Sequence, residues 1–235
     1  MNTITILLLF ILSFLPPLIY AIWIRNTEQY HREKWKPILL SFLWGATIAI
    51  LAALILEIIL HIPIVISFKE AGLIAFLTAV LVAPFAEELT KPMILRYHKI
   101  KKELDEPEDG LIYGAVAGLG FSATENLLYG LIALQESIEY FLFLILVRSI
   151  AGCLLHASAT AWTGYGYGQF ILKKTSFFRV IPFLFLAIII HSFYNFIVSY
   201  ELIGAFAALF FALIFVLFSI HIVRSKIRLL DQKTR

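Results

Sequence analysis

Seven mostly apolar stretches follow one another along this chain, each near the roughly 20 residues that a membrane-spanning helix needs. They run from Ile4 to Ile24, Ile38 to Leu60, Leu73 to Leu95, Leu111 to Leu134, Tyr140 to roughly Gly168, Val180 to Ser199, and Leu202 to Val223. The fold they predict is all-α: a polytopic transmembrane bundle of about seven helices. The fifth stretch is long enough to tilt or to project beyond the bilayer. No Pro/Gly/Ser linker divides the chain, so residues 1–235 read as one integral-membrane domain. The sizeable polar insertion is Tyr97 to Asp109, a charged turn containing Pro107.

Composition supports this reading. Hydrophobic residues make up 61% of the chain and charged ones 15%, against about 45–50% and about 25% in average globular proteins. The single Cys153 excludes an internal disulfide and a cysteine-based zinc site, and its place in an apolar run suits a small packing residue. Only Met1, Asn2 and Thr3 precede the first apolar run, and Pro16-Pro17 lies within it. It therefore reads as a retained helix rather than a cleaved signal.

Lys and Arg set the orientation. Of 19 in the chain, 16 fall in alternate loops and the C-terminal tail, Lys69 alone lies on the opposite side, and Lys91 and Arg148 are inside spans. The N-terminus is predicted outside and the C-terminus in the cytoplasm. A net charge of +3 spread over these loops gives no reason to expect a nucleic-acid partner.

Away from the span ends, five charges stand within the spans: Glu87, Glu88, Lys91, Glu125 and Arg148. Each costs about 2.5–3.5 kcal/mol at a bilayer centre on insertion scales, which marks them as functional candidates. Lys91 is one helical turn from both Glu87 and Glu88, so it can hold one carboxylate ionised beside a protonated neighbour, an arrangement suited to acid–base work. His191 and Asn195 share a helix face and offer neutral donors to an oxyanion. As a structural alternative, they form an interhelical pair. His156 follows Gly152 and precedes Thr160, Gly164 and Gly168 at four-residue spacing, and Gly110, Gly114, Gly118 and Ser122 lead likewise to Asn126. Such stripes let helices approach closely and turn these polar residues inward. Glu125 and Asn126 can position water or bind substrate. Arg148 suits a counter-ion or a dock for a substrate carbonyl. Glu57, His61 and His221 fall near span ends, and His31 and His98 in loops, so all five are set aside.

The ordered set Glu87-Glu88-x-x-Lys91, Gly120-Phe121-Ser122-Ala123-Thr124-Glu125-Asn126, His156 and His191-x-x-Tyr194-Asn195 resembles the PrsW family of intramembrane proteases. That family belongs to a superfamily with the CAAX prenyl endopeptidases and bacteriocin-processing or immunity proteins. The resemblance covers residues 83–196. Prenyl endopeptidases usually carry Glu-Glu-x-x-x-Arg, and Lys91 in place of that pattern favours the PrsW branch. The resemblance implies hydrolysis of peptide bonds in a membrane-anchored protein or peptide, an anti-sigma factor being one example, in a bacterial or archaeal plasma membrane. It also implies roles: Glu87 or Glu88 activates water with help from His156, and His191 and Asn195 hold the oxyanion. Lys91, Glu125, Asn126 and Arg148 support the site or bind substrate. No metal ligand is assigned and no cofactor is required. A zinc protease built on the same residues is the alternative, although no His-Glu-x-x-His occurs. Outside the peptidases, a proton-coupled transporter would use the same intramembrane Glu and His.

The charge asymmetry makes a direct prediction. A fluorescent protein fused to the C-terminus fluoresces in cells, and a cysteine placed at Lys69 reacts with an impermeant maleimide applied from outside. Labelling only after permeabilisation reverses the orientation.

Overall fold

The computed structural model describes residues 3–174, 176–200 and 204–233. With their π-helical and 3₁₀ turns counted as continuous, seven long helices follow the seven apolar stretches. These are α1 (Thr3–Arg25), α2 (Trp35–Ser67), α3 (Ala71–Arg96), α4 (Asp109–Glu136), α5 (Ile138–Leu172), α6 (Phe177–Ser199) and α7 (Ala205–Asp231). No strand occurs among the described residues. Leu202, the predicted start of the last stretch, and Arg235, one of the counted tail charges, lie outside them.

Six of these helices are long and apolar enough to cross a membrane, and α4 is not among the six. Its sequence is diluted by Gly, Ser, Thr and Glu. The structure shows why this is tolerated: every residue from Asp109 to Ala123 is buried among neighbouring helices, so that part of α4 meets no lipid. The outer helices carry the apolar exterior, with Ile55, Ile58 and Ile66 of α2 and Phe206 and Phe218 of α7 exposed. An apolar surface around buried charges is the pattern of a multi-pass membrane protein.

The two small-residue stripes face each other. α4 and α5 pack more extensively than any other pair, because each stripe lets the opposing backbone come close. A Cβ on Gly114 would lie 2.6 Å from the Thr160 carbonyl oxygen, and one on Gly118 would overlap the carbonyl oxygen of His156. Without a hydrophobic driving force between helices in lipid, such close packing supplies the association. It also sets His156 against α4 at the level of Glu125.

At the basic end, α7 is tied to the loop between α1 and α2. Gln29 and Tyr30 donate backbone N–H groups to the Asp231 carboxylate at 2.9 and 3.1 Å. Arg224 donates to Thr27 Oγ1 at 2.9 Å and lies over the Trp23 ring. In the same region Tyr113 donates its hydroxyl to Glu33.

The α4–α5 contact separates two glycines. Gly118→Ala drives a methyl group into backbone and is expected to cost about 1–3 kcal/mol. Gly168→Ala meets only ordinary contacts, the nearest at 3.4 Å, and is expected to change stability by less than about 1 kcal/mol. Thermal unfolding in detergent checks the pair, and equal losses would refute the close-packing account.

Candidate active site

Four helices bring their polar residues to one buried point, and departures from regular helix mark the segments around it. In α3 the turn Thr78–Val82 is π-helical, with Ala83 donating its N–H to the Thr78 carbonyl. The next candidate donor for the Ala79 carbonyl is residue 84, a proline with no N–H. That carbonyl is instead satisfied from α6, where Asn195 Nδ2 donates at 2.8 Å. Beyond the carboxylates, Pro92 breaks the regular α-helical hydrogen bonding and Lys91–Arg96 continues as 3₁₀. In α5 the turn Arg148–Gly152 is also π-helical. Such turns are frequent at functional sites.

Lys91 stands at the centre and is fully buried. Its ammonium donates to Glu87 Oε2 at 2.7 Å, to Glu88 Oε1 at 2.9 Å and to His156 Nδ1 at 2.8 Å. All three of its protons are thereby used. The face of Phe121 lies 4.3 Å from the nitrogen. Since an ammonium can only donate, His156 Nδ1 is an acceptor and its Nε2–H donates to Glu125 Oε2 at 2.7 Å. His156 is thus held as one neutral tautomer.

The two adjacent glutamates have different surroundings. Glu88 is sealed: Oε1 also accepts from His191 Nδ1 at 2.9 Å, and Oε2 accepts from Thr160 Oγ1 at 2.8 Å. Glu87 Oε2 lies 3.6 Å from His156 Nδ1 and 3.9 Å from His191 Nδ1, and this residue lines a cavity of about 330 Å³. The cavity is also lined by Glu125, Arg148, His156, His191 and Asn195. Arg148 donates to Glu125 Oε2 at 2.7 Å and to Asn126 Oδ1 at 3.0 Å, with Tyr129 beneath its guanidinium at 4.0 Å.

Of the nine residues singled out from the sequence, eight form this connected network. Asn195 joins the cavity wall while its amide is partly engaged at Ala79. Sequence reading missed Tyr129 and gave no site role to Thr160, Phe121 and Tyr194, although these three stand within the stripe and motifs it singled out. Thr160 had a signal, one turn after His156 on the same stripe. Glu57, set aside from the sequence, is half-buried on α2. His61 pairs with Thr78 Oγ1 at 2.9 Å. Cys153 is buried and receives contacts from Ser122 and Asn126, as a packing residue would.

The donor set fits zinc by its chemistry. Glu87, Glu88, His156 and His191 each offer one ligand atom, all within 4.8 Å of one another, and two carboxylates with two imidazoles are zinc ligands. The Glu88–His191 hydrogen bond is of the kind that orients a ligating histidine. Lys91 bonds three of the four donors, so a metal ion and the ammonium compete for the same atoms.

The family model described as "PrsW family intramembrane metalloprotease" matches residues 33–222. The chain is 29% identical over 198 residues to Protease PrsW of Clostridioides difficile (strain 630), covering 82% of this chain and 80% of that protein. It is 26% identical to Protease PrsW of Geobacillus kaustophilus (strain HTA426), covering 72% and 69%. The Protease PrsW of Bacillus subtilis (strain 168) is 27% identical, covering 73% and 74%. No solved structure matches this chain. The metalloprotease description and the donor set together strengthen the zinc alternative over a metal-free site.

Lys91→Met leaves two buried carboxylates without their cation, and a loss of about 3–5 kcal/mol of stability is expected. Unfolding in detergent measures it. A variant as stable as the parent would show that the ammonium does not hold this site together.

Proposed function

Because this chain belongs to the PrsW family of intramembrane metalloproteases, we propose that it cuts membrane-anchored proteins in the cavity beside Glu87. The observation that carries this reading is the unequal burial of the paired carboxylates. Glu88 has both oxygens committed inside the protein, whereas Glu87 reaches the cavity. Glu87 is accordingly the general base for a water molecule, and Glu88 is the group that orients His191. A carboxylate only accepts, so His191 gives its Nδ1–H to Glu88 and keeps a lone pair on Nε2.

The remaining roles follow from this arrangement. A peptide carbonyl beside Glu87 is attacked by the deprotonated water. The developing oxyanion takes a hydrogen bond from the amide proton of Asn195 not used at Ala79, whereas His191, with its Nδ1–H given to Glu88, has no second N–H to offer and serves to hold Glu88 in place. The proton held by Glu87 then passes to the leaving amine, so no covalent nucleophile is needed. His156 fixes the positions of Lys91 and Glu125, and Arg148 with Tyr129 offers a dock for the substrate backbone. In the zinc alternative Glu87, Glu88, His156 and His191 would hold the ion, Glu87 then being a ligand rather than the base, and when bound the ion supplies acidification of water and polarisation of a carbonyl. The fully bonded ammonium of Lys91 supports a second, metal-free version of the same site.

The cavity includes Tyr129, Leu144, Val198 and Ser199, all in the helix halves remote from the basic loops. With those loops cytoplasmic, substrate and water reach the site from outside. A single-pass protein in a bacterial plasma membrane, of which an anti-sigma factor is one instance, suits such an approach.

The test is cleavage of a single-pass reporter library by the parent and by Glu87→Gln, Glu88→Gln and His191→Ala, with zinc measured on each purified protein. Glu87→Gln is expected to reduce cleavage at least about a hundredfold while remaining folded. Unchanged cleavage in Glu87→Gln and His191→Ala would remove the proposal. Activity that survives exhaustive chelation selects the metal-free version.

A further inference from the structure

A second acidic centre lies at the opposite, basic end of the bundle. Glu28 sits in the loop after α1, and Glu106 and Glu108 flank Pro107 just before α4. One carboxylate oxygen from each lies within 4.8 Å of the other two. Glu28 and Glu108 are both fully buried. Glu28 uses Oε2 to accept the Glu33 backbone N–H at 2.9 Å, while its Oε1 has no hydrogen-bond partner. Neither oxygen of Glu108 has one. Among the described residues, no Lys or Arg forms an ion pair with either; Arg32 Nε donates instead to the Glu28 backbone carbonyl at 3.2 Å, and His31 Nδ1 lies 4.0 Å from Glu106.

Buried carboxyls are ordinarily paired, hydrogen-bonded or bound to metal, because leaving them unpartnered costs kilocalories. Here three unfilled oxygens on two fully buried residues accompany a third carboxylate within coordinating reach. We propose that Glu28, Glu106 and Glu108 bind one hard divalent cation, Mg²⁺ or Ca²⁺, with water completing the shell. All-oxygen ligation favours these ions over zinc. Burial pushes the Glu28 carboxyl up to about 8 and the Glu108 carboxyl up to about 7, the direction expected of carboxyls held without a cationic partner.

The ion has a structural consequence. It joins the loop after α1 to the segment that starts α4, beside the point where Asp231 anchors the end of α7. Binding thus fixes the height of α4, the helix that carries Glu125. This centre is separate from the intramembrane donors and does not depend on the peptidase reading.

The full chain in zwitterionic-lipid nanodiscs, stripped with EDTA, provides the test. Mn²⁺ binding is followed by electron paramagnetic resonance, with Mg²⁺ and Ca²⁺ as competitors. The parent and Glu87→Gln are each expected to bind a Mn²⁺ that Ca²⁺ or Mg²⁺ displaces. Glu108→Gln is expected to bind it at least about tenfold more weakly. Ca²⁺ or Mg²⁺ at ten times the parent's Kd should raise the melting temperature of the parent by about 3–6 °C and that of Glu108→Gln by no more than about 1–2 °C. Glu106→Gln, at a partly exposed position, serves as a second variant if Glu108→Gln does not fold. Equal Mn²⁺ affinity in the parent and the folded variants, or no binding to the parent at millimolar Mn²⁺, overturns the proposal. Loss of binding in Glu87→Gln alone would place the ion in the membrane site and overturn it equally.

Discussion

The architecture of the intramembrane site depends on one buried ammonium. Lys91 has no contact with solvent, and its three protons go to Glu87, Glu88 and His156. Removing such groups from water is expensive, and a well-packed apolar cluster would often be as stable or more so. Stability therefore does not explain why the charges are there. What the ammonium provides is position. It holds two adjacent carboxylates that would otherwise repel, and it fixes the tautomer of a histidine on another helix. Through that histidine it reaches Glu125 on α4. The network Glu88–His191 and Glu125–Arg148 extends the same order to α6 and the π-helical turn of α5.

Helix irregularity and polar chemistry occur together here for a physical reason. A regular α-helix uses its carbonyls internally, and a membrane offers no water to those left over. Pro84 and the π-helical turn before it release the carbonyl of Ala79, and Asn195 comes from α6 to satisfy it. Thr124 does the same on the other side, donating to Ala46 at 2.7 Å where α2 is π-helical. Each released carbonyl thus becomes a connection between helices. Asn195 is tied to structure through one amide proton, and the other is the one proposed for the oxyanion. A rigid α4–α5 pair, packed backbone to backbone through glycine, gives these connections a fixed reference.

A peptidase in a bilayer must hold water where lipid would exclude it. The cavity beside Glu87 meets this need, because its wall combines carboxylate, guanidinium, imidazole and amide. The sealed position of Glu88 shows how one short motif yields two different acids. Glu87 and Glu88 are neighbours in sequence, yet successive residues on a helix point about 100° apart. One meets the cavity and the other meets Thr160 and His191.

The sequence alone determined the all-α class and the order of the long helices, since the apolar run lengths match the thickness of a bilayer, although α4 is not apolar enough to count as a span by itself. It also named the polar residues, because charges in such runs are costly enough to stand out. The four-residue glycine stripes predicted close helix contact, and Thr160 was visible one turn beyond His156. Tertiary structure alone decided which side chains meet. Spacing places Glu87 and Glu88 equally near Lys91, and only the packing of α5 and α6 against α3 seals one of them. No periodicity links Ala79 to Asn195, 116 residues apart, or sets Glu125 and Lys91 on the two nitrogens of His156. Likewise, Glu28 and Glu108 read as ordinary loop acids until the fold buries them together. These contacts arise between helices distant in sequence. A local pattern records which face of a helix turns inward but not which partner that face meets.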